Sequence, residues 1–141
     1  MLYIILATIF YSITLILGAI ASRNANTNLV AAVSNFVSVI IPLSIIIPLI
    51  NKKFLINSKF GILIAFLAGI TIAVFTMALA KSFSQNKVAI VVPIVFGGAI
   101  FLSAILSYIF FKEKISFYQG IGLLILGLGL LFIIYARVTG R

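Results

Sequence analysis

The side chains able to do chemistry are few and narrow in type. Glu113 is the only acidic residue in a 141-residue chain that carries 10 Lys and Arg, no Cys and no His. A lone carboxylate excludes paired-carboxylate catalysis within one chain. Without thiols or imidazoles there are no disulfides, no thiolate nucleophiles and none of the common zinc ligands. A carboxylate cage for a hard cation is equally short of ligands. No enzymatic activity, metal or cofactor is expected. What remains is neutral polarity set within apolar sequence. Ser34, Asn35, Ser38 and Pro42 recur at spacings of three and four, so a helix carries them on one face. Thr8, Tyr11 and Ser12 make a comparable face further upstream. Pro93 removes a backbone donor and frees a carbonyl in the preceding turn, with Gly97 one turn later. These groups suit hydrogen-bonded recognition of a small solute, with Phe75 and Phe96 as apolar walls. The expected substrate-binding cleft is therefore Tyr11, Ser34, Asn35, Ser38, Phe75, Pro93 and Phe96. The same hydroxyls and amide also fit a plainer role, hydrogen bonding between helices at about 0.6 kcal/mol each.

Hydropathy marks out the helices that carry these residues. Hydrophobic residues make up 65% of the chain and charged residues 8%, far from the balance of a water-soluble domain. A bilayer crossing needs about 20 consecutive apolar residues as a helix. Such runs cover residues 2–21, 29–50, 60–80, 88–111 and 117–136. They are separated by Ser22 to Asn28, by Asn51-Lys52-Lys53 through Lys59, by Lys81 to Lys87, and by Lys112-Glu113-Lys114. Period-two alternation is absent, and only a helix satisfies its own backbone in lipid. The reading is all-α: a polytopic transmembrane bundle of five helices, one domain over 1–141, with membrane lipid as its surroundings. The first run has no basic n-region and is read as a retained helix instead of a signal peptide.

Net charge +9 does not indicate nucleic acid, because the cations fall singly between apolar runs as membrane flanks. With five crossings, Lys52, Lys53, Lys59, Lys112 and Lys114 lie on one side. Arg23, Lys81, Lys87, Arg137 and Arg141 lie on the other. The orienting bias nearly vanishes, which allows two copies to insert in opposite senses and meet as an inverted pair; resolution by the early loops or by a partner is the alternative. Small residues recur at packing intervals: Ala65, Gly69 and Ala73; Ala99, Ser103 and Ser107; and two glycine lines in the last run, Gly122 with Gly129 and Gly120 with Gly127. One line can serve the fold and the other a partner, and Gly122 and Gly129 are expected to be the packing or dimer surface.

The stretch KVAIVVPIVFGGAIFLSAILSYIFFKEKISFYQGIGLLILGLGLLFI, residues 87–133, resembles the EamA-type domain of the drug/metabolite transporter superfamily. That domain has a helix with an early Pro, a short loop bearing Glu beside basic residues, and a glycine-rich helix with Leu and Ile between its glycines. Pro93, Glu113, Gly122 and Gly129 match, with Leu124 and Ile125 between the glycines. The earlier part of the chain matches in hydropathy and spacing. The resemblance implies a half-size transporter that pairs and moves a small metabolite or a lipid-linked substrate by alternating access, and the balanced flanking charges allow the pair to be an antiparallel homodimer. It also implies the plasma (inner) membrane of a prokaryote. The shorter, four-helix small multidrug resistance relatives use a Glu in the first helix and an aromatic cluster with Trp, and neither is present here. Glu113, between two lysines, is read as an interfacial structural or gating residue. A non-transporting membrane subunit that scaffolds a larger complex is the rival from another class.

Overall fold

The computed structural model describes residues 2–49 and 59–140. The Asn51-Lys52-Lys53 break, the end of the second run at Ile50 and the terminal Arg141 lie outside the described residues. Among the described residues the elements are α1 (Leu2–Asn24), α2 (Thr27–Ile46) with a 3-10 turn at Ile47–Leu49, α3 (Lys59–Gln85), α4 (Val88–Phe111) and α5 (Phe117–Thr139). All five helices are long and apolar enough to cross a membrane. Even α2, with 20 residues, reaches about 30 Å, the thickness of the hydrocarbon core. The protein is an integral membrane protein of helical build, and no strand occurs among the described residues.

Three helices outrun their apolar stretches. α1 continues through Ser22 to Asn24, α3 through Lys81–Ser84 to Gln85, and α5 to Thr139. Hydropathy reports where hydrocarbon ends, whereas a helix ends where its last backbone groups find other partners. Ser82 donates to Ala78 O at 2.9 Å and Ser84 to Lys81 O at 2.8 Å, so these hydroxyls are satisfied on the helix itself. The Asn26 side chain caps α2, accepting from the N–H groups of Asn28 and Leu29 at 3.0 and 3.3 Å. Only Ala25 and Asn26 separate α1 from α2.

The helices form two compact units, Met1–Gln85 and Asn86–Arg141. In the first, α1, α2 and α3 contact one another in all three pairs. Ala19, Ala31 and Ala80, one from each helix, are buried, as are Ser22 and Phe83. Small side chains there allow close backbone approach. Arg23 Nε donates to Phe83 O at 3.5 Å, placing a cation over the last turn of α3, where the helix dipole favours it.

In the second unit α4 packs on α5. Two glycines receive side chains from the opposite helix. A Cβ added at Gly97 would stand 2.6 Å from Leu130 Cδ2, and one at Gly127 would stand 2.8 Å from Phe101 Cζ. Gly97→Ala should therefore destabilise the protein by about 1–3 kcal/mol through overpacking. Unfolding in mild detergent should show Leu130→Ala recovering part of that loss, so that the double variant is more stable than the two single effects predict. Strict additivity would mean that the contact carries no strain.

The hairpin between α4 and α5 is closed by Lys112, whose φ of 57° is the left-handed conformation usual for a helix C-cap. α5 then starts on a capping box. The Ser116 hydroxyl accepts from Gln119 N–H at 3.3 Å, and Gln119 Oε1 accepts from Ser116 N–H at 2.8 Å. Arg137, in the last turn of α5, donates to Asn86 Oδ1 at 2.6 Å.

Candidate functional site

Most hydroxyls in the spanning helices are turned onto their own backbone. Thr8 donates to Ile4 O, Ser12 to Thr8 O, Thr14 to Phe10 O and Ser22 to Gly18 O, at 2.7–2.9 Å. Such back-bonding lets a polar residue sit in an apolar helix without a partner elsewhere. Asn35 behaves differently, because a side-chain amide cannot be absorbed by one backbone carbonyl. Its Nδ2 donates to Thr76 Oγ1 on α3 at 2.8 Å, and Thr76 in turn donates to Ala73 O. The polar group of α2 is thereby fixed to α3.

Beside that bond lies a cleft of about 110 Å³ between α1, α2 and α3. Its lining includes Tyr11, Thr14, Gly18 and Ser22 from α1, Ala31 and Ser34 from α2, and Phe75, Thr76 and Phe83 from α3. Of the residues singled out from the sequence, Tyr11, Ser34 and Phe75 line this cleft. Asn35 reaches it through Thr76. Ser38 is exposed and donates to Asn35 O at 2.9 Å. Thr8 and Ser12 are exposed.

Pro93 and Phe96 belong to the second unit, where they line a separate cavity of about 360 Å³ with Val92, Gly97, Ile125 and Leu130. α4 runs unbroken through Pro93. Pro93 lacks the N–H that would otherwise donate to the carbonyl of Ala89, four residues earlier. α2 likewise passes Pro42 as α-helix and tightens to a 3-10 turn only at Ile47–Leu49, which contains Pro48.

Thr14, Gly18, Ser22 and Thr76 were missed as lining residues. The α1 members continue from Tyr11 at steps of three, four and four, a helical stripe that could be followed by counting. Thr76 adjoins Phe75 in sequence and is the polar neighbour that the part-buried Asn35 amide finds.

A third cavity, of about 650 Å³, was not anticipated. It runs between α4 and α5 in the second unit, from Ile100, Ser103 and Ala104 to Glu113, Lys114 and Gln119, with Gly122, Leu123 and Leu126 opposite. At its polar end the Ser107 hydroxyl donates to the Glu113 carboxylate. Gly122 and Gly129 have open space where a Cβ would stand, in contrast to Gly97 and Gly127.

The family model for the EamA-like transporter family matches residues 1–135, all of the first unit and most of the second. No curated protein matches the chain. No solved structure matches it.

Proposed function

The chain belongs to the EamA-like transporter family, and on that premise we propose that it moves a small metabolite or a lipid-linked substrate across the membrane by alternating access, as a pair of inverted copies. Family membership across five spanning helices is the observation that carries the transport reading. The pairing is supported by size and exposure. The α1–α3 cleft holds about 110 Å³, whereas sites that enclose an organic ligand run from about 300 Å³ upward. A cleft this small needs further walls. Gly122 and Gly129 lie exposed on α5, Gly122 at the edge of the α4–α5 groove, and among the described residues no other element comes within 4 Å of where a Cβ would stand, which leaves room for a second backbone. The balanced flanking cations allow that second copy to be inverted.

Asn35 and the hydroxyls of Tyr11, Ser34 and Thr76 supply the polar contacts in this reading, and Phe75 supplies an apolar wall. Pro93 and Phe96 line the cavity of the second unit and are kept there as candidate substrate contacts. Among the described residues the Tyr11 phenol is the one ionisable group lining the α1–α3 cleft, which suits neutral substrate groups.

The inverted pairing is tested by single cysteines, which the Cys-free chain makes simple to interpret. In intact cells Asn26→Cys and Asn57→Cys should each be labelled partly from the outside; Asn57 itself lies outside the described residues. Wholly one-sided labelling at both positions, on opposite sides, would falsify dual insertion.

A further inference from the structure

The groove between α4 and α5 has a polar mouth and an apolar floor. A carboxylate flanked by two lysines would be expected to pair with one of them. Glu113 instead turns back onto α4, accepting from Ser107, and among the described residues it forms no ion pair. Lys114 lines the same groove, also without an ion pair among the described residues. Gln119 has committed its Oε1 to the capping box, which leaves its amide NH2 as a donor. The mouth therefore presents one negative charge, one positive charge and a neutral donor, at separate positions. Below it Ala104, Leu123 and Leu126 make a floor within a spanning helix pair.

A ligand with a single charge would satisfy one of these two ions and be repelled by the other, whereas a zwitterion complements both. An ammonium suits Glu113; a phosphate suits Lys114 with the Gln119 amide. A small water-soluble zwitterion would use the mouth alone. The apolar floor and a volume of about 650 Å³ call for an alkyl chain as well. We propose that this groove binds a phospholipid-type amphiphile whose headgroup carries both an ammonium and a phosphate. Its identification as cargo rests on the transporter reading; its binding does not.

Native mass spectrometry of the purified full-length protein, titrated with phosphatidylethanolamine and phosphatidylglycerol in equal amounts, tests the binding. Phosphatidylethanolamine should be retained about tenfold better, the worth of one charge-assisted contact. Glu113→Gln keeps an acceptor for Ser107 and should bring the two lipids close to equality. Lys114→Gln should lower retention of both while keeping their order. Ala104→Phe should fill the floor and reduce both, which gives a readout even if the Glu113 variant fails to fold. Equal retention by the unmodified protein, or a preference that survives Glu113→Gln, overturns the proposal. So does unchanged retention in Ala104→Phe.

The cargo assignment is tested in liposomes carrying fluorescent phosphatidylethanolamine in the inner leaflet. Exposure of the label to dithionite, dependent on protein and lost in Ala104→Phe, supports it. Retention without movement makes the lipid a bound structural component and overturns the cargo assignment. Flux of some other solute, with no lipid preference, overturns this inference and leaves the transporter reading standing.

Discussion

Adding three lysines to the loop around Asn26 should abolish activity, as should adding three to the Lys112–Lys114 hairpin, and co-expression of the two variants should restore it. The five-against-five distribution of flanking cations sets almost no orientation. Each lysine placed near a membrane boundary favours the cytoplasmic side. A few such residues on one side should collapse a mixed population to one orientation, and a pair that needs both orientations then cannot form. Two oppositely biased variants together supply both. The expected effect is near all-or-none, in contrast to the graded losses of packing substitutions. Full activity in either variant alone would mean that one orientation suffices. The hairpin lysines should be placed after Lys114 without altering Lys112 or Ser116, because the left-handed cap and the capping box are what close the turn.

The second large effect is at Asn35. Its amide bond to Thr76 ties α2 to α3, so some stability must be lost when it is removed. Hydrogen bonds between membrane helices contribute about 0.6 kcal/mol on average, which leaves most of a folded population intact. If the bond is glue alone, Asn35→Ala and Thr76→Val cost the same small amount and transport is unchanged in both. If the amide also meets substrate, Asn35→Ala should lower transport by more than about tenfold, with expression and oligomer stability near normal. Thr76→Val removes the amide's partner and one cleft hydroxyl but keeps the amide, so its transport loss should be smaller than that of Asn35→Ala at a similar cost in stability. A large loss of stability in Asn35→Ala would assign the residue to the fold, and the substrate contacts to other walls of the cleft.

The five spans were legible because lipid imposes one constraint on every crossing, and a run of apolar residues long enough to meet it has few other uses. Their ends were less legible. Lys81, Ser82 and Ser84 look like a loop in a hydropathy reading, yet they continue α3, because leaving hydrocarbon does not end a helix whose serines bond to their own carbonyls. Polar spacing placed Ser34 and Tyr11 on a common cleft, but it could not say that Asn35 would bond to Thr76, since periodicity ranks faces of one helix and is silent about which helix it meets. The glycine lines illustrate the same limit. Intervals of seven marked Gly120, Gly122, Gly127 and Gly129 alike, whereas the close approach within the chain falls at Gly127, under Phe101, and at Gly97, under Leu130. What distinguishes them is the large side chain opposite, a long-range fact. The α4–α5 groove escaped notice for a related reason. Glu113 between two lysines reads as an interfacial structural or gating residue, and the backward turn at Lys112 brings its carboxylate to Ser107.

The central claim is that this chain transports a solute by itself, and flux into liposomes containing only the purified protein measures that directly. The external solution would hold a defined mixture of isotope-labelled sugars, amino acids and nucleosides, and the membrane would hold fluorescent phosphatidylethanolamine. We expect saturable movement of at least one of these, proportional to the protein reconstituted, with a water-soluble solute suppressed in Asn35→Ala and the lipid suppressed in Ala104→Phe. Protein that is folded and paired in the same liposomes, yet moves none of them above protein-free vesicles, would contradict it and favour a scaffolding subunit.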